Sequence, residues 1–580
     1  MKNFFTKINR NLAPLVLACL VGLICVLPQL LLIYSIRDNY RGIIYSGSND
    51  DYTYLVRMHE ILDGHWLATS PFFYEYKSYQ PLVLPAGEQL YAIASFVTQA
   101  SLPMILLVSK FLLPAILFLL VYAIIIRLTE NFNSPLVKFN AMAGGLFVTL
   151  GYDFIDFKNA FEFLLGQRPW FHPLIWVRPV NPIVGALFLF TFILLLWILI
   201  IDRKRYFTLL LGVLQALMVS YFFSWGLSLS IICFLILLHL FRKEYQIVKD
   251  LILVVFLGFL FSLPYWIKLF YSLGVNNDSA SKMGMFYTHK PVVNKFVLVG
   301  LILYALLMIF THIKQKKINK NIDYSWWFSL AMLGGCFWVY IQQIFTGRTI
   351  WPGHFVQYTI PITIIVAFFS LLAICSKKSF KYFYVVLLSI IIIVTISYGI
   401  MSAMSFKYDA NSFLQNQKYA SLLNWLDSNS ENDCVVLSTD YRFQYLNPAY
   451  THCNDYVSDW SFSGVPLERV EFNYLVLLRL KNIDINNISS YLHDNMNDIR
   501  LIYYKDWDQL YSTSDDEPWL IEAAQKVELD YRNFLDQDFY QELKKYKLDY
   551  LVMNEAPSQD ISSHLNFIGN FEGLMLYKFD

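Results

Sequence analysis

The stretch SGSNDDYTYLVRMHEILDGHWLATSPFFYEYKSYQP, residues 46–81, lies in a long polar loop just beyond the first apolar run of the chain. A Gly/Ser segment ends in Asn49-Asp50-Asp51, and a helix is predicted to start there, with Tyr52, Leu55, Ile61 and Leu62 as its apolar positions. Asp51 is read as the N-cap, a place where aspartate is favoured for backbone hydrogen bonding alone. Capping therefore competes with any chemical role. Two adjacent aspartates, with Arg57 close by, weigh toward chemistry.

The surroundings of this stretch decide the class. Of 580 residues, 56% are hydrophobic and 15% charged, against roughly 25% charged in soluble domains. The deficit sits in residues 1–404, where apolar runs of about 18 or more residues recur, long enough to cross a hydrocarbon core. Eleven spans are expected, near 12–34, 104–126, 139–152, 182–201, 206–222, 225–241, 250–271, 295–313, 325–345, 355–375 and 381–403. The segment GEQLYAIASFVTQASLP, 87–103, is apolar but short and reads as an interfacial helix. A twelfth span is the rival reading.

Charge orients the spans. Eighteen cations crowd one set of short ends: Lys2/Lys7/Arg10, Arg127/Lys138, Arg203/Lys204/Arg205, Arg242/Lys243/Lys249, Lys314/Lys316/Lys317/Lys320 and Lys377/Lys378/Lys381. These ends are predicted cytosolic. The long loop 35–103, a second loop 152–181 and shorter loops at 272–294 and 346–354 then face outward. An odd span count puts residues 405–580 outside as well. Residues 1–404 hold 31 Lys/Arg against 16 Asp/Glu, a net of +15, and the tail holds 14 against 28, a net of −14. An acidic tail without clustered cations excludes nucleic acid as a partner.

The tail alternates helix-like and strand-like segments, which predicts a small α/β domain. QKYASLLNWLDSN reads as a helix and EPWLIEAAQKVELDYRNFLDQDFYQELKKYK as one long amphipathic helix. CVVLST, LDYLVMN and GLMLYKF read as strands. No Gly-rich phosphate loop or nucleophile elbow occurs there, so support or acceptor recognition is expected of it. Cys434 and Cys453 pair if the domain is extracytosolic; two buried thiols are the alternative.

The Asp-Asp-Tyr-x-Tyr-x-x-Arg of residues 50–57 resembles the opening of the first outer loop in GT-C membrane glycosyltransferases. It is similar there to oligosaccharyltransferase catalytic subunits and to bacterial lipid-linked sugar transferases. Residues 85–124 resemble the interfacial helix and second span of that superfamily, and Lys110 stands where many members carry a cation. The tail contains no WWDYG-like acceptor motif, a departure from enzymes that glycosylate asparagine. The resemblance implies a polytopic α-helical GT-C-like domain, 1–404, and a soluble extracytosolic domain, 405–580, in a bacterial inner or plasma membrane. It implies transfer of a sugar from a polyprenyl-phosphate donor to a lipid, glycan or protein acceptor, among membrane lipids. Asp153-x-x-Asp156 loosely resembles a second acidic motif; with Asp51 it would hold a divalent cation, magnesium or manganese.

Elementary chemistry fits that reading. An acceptor hydroxyl needs a base, and a carboxylate at a membrane interface is partly desolvated and more basic for it. Asp51 is assigned that role, with Asp50 the alternate or a metal ligand. The departing lipid phosphate needs positive charge, best supplied by arginine. Candidates are Arg57, Lys110, Arg168, His172 and Arg178, the last three within GQRPWFHPLIWVRPVNP, and Arg348 and His354 within QQIFTGRTIWPGHF. Trp170, Phe171 and Trp176 fit a plain aromatic belt, and Arg348 and His354 fit a surface arginine and a snorkelling histidine. Lys282, His289 and Lys290 are weaker candidates. A transporter or flippase would need charges at mid-span and paired broken helices, which the apolar span centres lack. A non-catalytic assembly protein, binding through its tail, would make Asp50 and Asp51 dispensable.

Overall fold

The computed structural model describes residues 2–45, 49–79, 81, 83–132, 134–166, 174–275, 285–291, 295–315, 323–375, 380–458, 465–557 and 559–580. Fourteen helices are labelled here: α1 (Lys2–Ile36), α2 (Asn49–Leu62), α3 (Ala86–Thr98), α4 (Leu102–Thr129), α5 (Val137–Thr149), α6 (Phe157–Leu164), α7 (Ile183–Asp202), α8 (Phe207–Leu217), α9 (Phe222–Phe241), α10 (Tyr245–Val275), α11 (Lys295–Gln315), α12 (Asp323–Thr346), α13 (Val356–Cys375) and α14 (Lys381–Ser405). Among the described residues, eight stretches, within α1, α4, α7, α9, α10, α12, α13 and α14, are long and apolar enough to cross a membrane. The chain is a multi-pass membrane protein.

All eleven apolar segments read from sequence are helical, yet eleven full crossings are more than the helices support. α5 and α8 have 13 and 11 residues, about 20 and 16 Å at 1.5 Å per residue, short of a hydrocarbon core of about 30 Å. α5 nonetheless follows α14 over most of its length. Tyr384 donates to Asn140 near one end, and Tyr398 donates to Asp153, just past α5, at 2.6 Å near the other. α3, at 13 residues, is too short to span. Leu90, Ile93, Phe96 and Val97 are exposed on one face, while Gly87, Glu88, Tyr91 and Ala92 are buried on the other, the pattern of a helix lying along an interface.

The tail carries a five-stranded sheet. A two-stranded pair, β1 (Met285–Tyr287) and β2 (Arg348–Ile350), precedes it in the chain. The tail strands are β3 (Val435–Ser438), β4 (Asn454–Asp455), β5 (Tyr550–Met553), β6 (Leu565–Phe571) and β7 (Leu574–Phe579), in the order β4-β3-β5-β7-β6. β3 runs parallel to β4 and β5, and β5, β7 and β6 are antiparallel. The apolar runs CVVLST and LDYLVMN form β3 and β5, buried at every position. The single long helix expected after Glu517 is two: Pro518–Leu535 and Phe539–Leu543. Asp538 separates them by capping the second helix, its carboxylate accepting from the Gln541 N–H at 3.2 Å. Cys434 and Cys453 are joined in a disulfide.

The tail is mounted on loop 35–103. The Asp455 N–H donates to the Phe72 carbonyl at 2.9 Å, and the Ile44 N–H to the Tyr450 hydroxyl at 2.9 Å. Gln417 donates to the Ile43 carbonyl at 2.9 Å. Arg469 is buried among Phe73, Tyr456, Phe472 and Tyr546, with its guanidinium 3.8 Å from the Tyr546 ring centre and Glu75 4.0 Å away. These contacts place the tail on the same side of the membrane as that loop. An even number of crossings must then separate them; seven of the eight long apolar stretches lie between, so an odd number of α5, α8 and α11 cross as well.

One titration belongs to this seam. Burial pushes the Glu60 carboxyl from its ordinary 4.5 up to about 6, against the opposing pull of Lys77 and His65, with Asp63 adding a small push upward. A carboxyl raised on folding binds its proton more tightly in the folded chain, so its contribution to stability falls as pH rises from about 4.5 to about 6. The effect is on the order of 1–2 kcal/mol. Glu60→Gln is expected to flatten the wild-type decline across that window, measured by thermal unfolding at stepped pH; parallel curves would contradict it.

Candidate functional site

α2 begins at Asn49, so Asp51 lies inside its first turn and is not the N-cap. A carboxylate there faces the positive end of the helix dipole. The Asp50 side chain lies outside the described residues. Asp51 retains 11% of its side-chain exposure, and Arg178 Nε stands 3.9 Å from its Oδ1. Asp51 also acts electrostatically on Lys110 of α4, which sits about 12 Å along that helix from Leu102. A lysine so placed is costly in a bilayer and marks function or a nearby counter-charge. Three tyrosines lie within reach of its charge. Burial, with the Asp51 charge adding to it, pushes Tyr91 up to about 12 and raises Tyr45 and Tyr52.

The segment carrying Arg178 is tightly held. A 3-10 turn, Ile175–Val177, buries Trp176, whose indole N–H donates to the Val148 carbonyl at 2.8 Å and whose ring meets Tyr152 edge-on at 5.9 Å. Trp176 is thus a core anchor and not part of an aromatic belt. Two residues beyond Arg178, Val180 adopts φ +58°, a conformation that costs a β-branched residue on the order of 1–3 kcal/mol. Its side chain fills the space left by Gly87 of α3, where a Cβ would come within 2.5 Å of Val180 Cγ1. Its N–H points at the Tyr91 hydroxyl, 3.5 Å away, and Tyr358 of α13 donates to the Pro182 carbonyl at 3.2 Å. Arg178 is therefore fixed from α3, α5 and α13 together.

The other candidates separate. Arg57 is 2% exposed, donating to Glu88 at 2.6 Å and to the Val83 carbonyl at 3.3 Å. It ties α2 to α3, because a buried guanidinium needs a buried carboxylate. His354 lies in the turn Pro352–Phe355 before α13, its Nδ1 3.3 Å from the Tyr221 hydroxyl and its ring 4.8 Å from Phe223. Tyr221 also donates to Gln357 at 2.9 Å and meets the Tyr358 ring at 5.7 Å. His354 thus shares a wall of tyrosines with the Arg178 segment. Arg348 lies exposed in β2 and makes no ion pair among the described residues. His289 contacts the Tyr287 hydroxyl at 3.0 Å, and Lys290 lies 3.8 Å from Asp508 of the tail. Arg168, His172 and Lys282 lie outside the described residues.

The expected metal set does not assemble. Asp153 accepts from Tyr398, Asp156 caps α6 by accepting from the Lys158 N–H at 2.9 Å, and Asp51 faces Arg178. Among the described residues the three carboxylates form no common group of ligand atoms; the only such group, Cys434, His452 and Cys453, contains the disulfide. Each of the three carboxylates has a protein partner in this structure.

Sequence reasoning missed the tyrosines. Tyr221, Tyr358 and Tyr398 sit in or beside apolar helices, and each hydroxyl needs a partner there, which is the signal that would have found them.

No protein-family model and no curated protein matches the chain. Among solved structures it is similar to the oligosaccharyltransferase of Archaeoglobus fulgidus in the apo form, with TM-score 0.47 and 12% identity, covering 93% of this chain and 69% of that one. The same archaeal enzyme tethered to an acceptor peptide containing the NVT sequon aligns at TM-score 0.45 and 12% identity, covering 95% and 69%. Its complex with an inhibitory peptide and a dolichol-phosphate aligns at 0.45 and 12%, covering 94% and 69%.

Proposed function

We propose that the chain is a membrane glycosyltransferase of the GT-C type. It moves a sugar from a polyprenyl-phosphate carrier to a lipid, glycan or protein acceptor on the extracytosolic face. The observation that carries this reading is the constellation at the start of α2: a nearly buried carboxylate, Asp51, 3.9 Å from Arg178 and within electrostatic reach of Lys110. A base and a phosphate-binding pair are what this transfer requires. Asp51 takes the proton of the acceptor nucleophile as its oxygen bonds to the anomeric carbon. The bond from that carbon to the phosphate oxygen breaks on the opposite face, so configuration inverts. Arg178 and Lys110 meet the charge left on the lipid phosphate, in surroundings where a dry environment strengthens each attraction.

His354, which shares its tyrosine wall with the Arg178 segment, is assigned to the outer phosphate oxygens; Arg348, Arg168 and His172 are further candidates for the same charge. Arg57 is assigned to positioning, through Glu88. The extracytosolic placement is supported by the cation-rich opposite ends of the spans and by the Cys434–Cys453 disulfide, a bond that persists in oxidising compartments.

A photoreactive polyprenyl phosphate added to the full chain in lipid nanodiscs tests the donor class. Crosslinks are expected within α4 and residues 174–182, competed by unlabelled polyprenyl phosphate. Labelling equal to that of a polyprenol without phosphate would refute the assignment.

A further inference from the structure

We infer that Lys77 and Asp433 are positioning residues that fasten the catalytic helix α2 to the tail, so that the tail sets where Asp51 stands. The inference rests on the proposed reaction only for its activity arm.

α2 is tethered at both ends. Before it, residues 41–45 are held by tail groups: the Arg41 N–H donates to Gln417 at 2.9 Å, the Ile44 N–H to Tyr450 at 2.9 Å, and the Tyr45 hydroxyl to Asp409 at 2.9 Å. At its far end, Lys77 donates to Glu60 of α2 at 2.8 Å and to Asp433 of the tail. Its side chain is 8% exposed, as is that of Glu60. His65 Nε2 approaches the Asp433 carboxylate at 3.2 Å.

The tail side of this bridge is rigid. Asp433 adopts φ +61°, a conformation aspartate tolerates. Its N–H donates to the His452 carbonyl at 3.1 Å, its carbonyl accepts from Lys547 at 2.9 Å, and Cys434, the next residue, is in the disulfide. A buried lysine shared by two carboxylates from different domains is costly to keep unless all three remain together. Burial pushes the Asp433 carboxyl up, but hydrogen bonding and charge from Lys77, with His65, more than offset this and lower it. Of the bridge residues, only Glu60 belongs to α2, so displacing the tail strips Lys77 of one partner and leaves the helix with a buried, half-matched pair. The tail helix Tyr441–Tyr450 packs along α2 as well, giving the two polar tethers an apolar bed.

The test is amide hydrogen exchange of the full chain in nanodiscs, read on peptides covering 49–62. Lys77→Met is expected to speed exchange there about a hundredfold, the equivalent of breaking a buried ion pair, with peptides of α7 unchanged. Lys77→Arg should restore protection. Asp433→Asn, at a half-buried position, should speed exchange of the same peptides and carries the test if Lys77→Met fails to accumulate. Unchanged exchange in α2 for Asp433→Asn overturns the inference, as does loss of protection spread evenly over every helix. In transfer assays, Asp433→Asn should lower kcat with KM retained. If the wild-type chain transfers no sugar while the exchange results hold, the proposed reaction falls and the tether stands.

Discussion

Asp51→Asn is expected to lower sugar transfer by about 10²–10⁴-fold, the usual worth of a general base, with membrane insertion and abundance unchanged. The amide keeps the shape of the carboxylate and loses only its charge and basicity. Arg178 Nε approaches at 3.9 Å, longer than a hydrogen bond, and the asparagine keeps the size and hydrogen-bonding capacity of the side chain. Folding should therefore survive. Donor binding should survive too, since the asparagine no longer competes with the lipid phosphate for Arg178 and Lys110. The expected pattern is a fall in kcat with KM for the donor unchanged or lower. Activity equal to wild type, with Asp50→Asn active as well, would remove both aspartates from catalysis and favour an assembly role.

Arg178→Ala is expected to cost about 10²–10³-fold in kcat/KM, the range found for deleting a charge-stabilising donor. The strain at Val180 and the Trp176 anchor are independent of the guanidinium, so the loop should keep its path. Arg178→Lys should recover only part of the loss. Lysine restores the charge, but it cannot offer two parallel N–H groups to a phosphate. The mutant effect should fall on the donor and not on the acceptor, which separates phosphate binding from a general loosening of the site. Initial-rate measurements with donor and acceptor varied in turn check this; an effect confined to acceptor KM would contradict it.

The multi-pass membrane class was legible because long apolar runs are a one-dimensional signal. Asp51 and Arg178 were legible as types in their loops and Lys110 in its span; the structure sets Arg178 3.9 Å from Asp51 and Lys110 within reach of the Asp51 charge, from segments more than fifty residues apart. What escaped was pairing. Arg57 looked available for a phosphate, but its partner Glu88 lies 31 positions away, across a turn that periodicity does not report. Asp156 looked like a metal ligand because Asp153-x-x-Asp156 loosely resembles a second acidic motif; in the structure its carboxylate caps a helix, a role requiring only a local N–H. β4 and β6 were missed because two residues, and a strand with alternating exposure and a bulge, carry little apolar pattern. The α2 tether was invisible because Lys77 and Asp433 are distant in sequence and ordinary in context.

Profiling of lipid-linked glycans in cells lacking the gene, complemented with wild type or with Asp51→Asn, tests the central claim most directly. The account predicts that a polyprenyl-linked sugar accumulates without the gene, disappears with the wild-type copy and persists with Asp51→Asn at equal protein level. Identical glycan profiles in all three strains would contradict it.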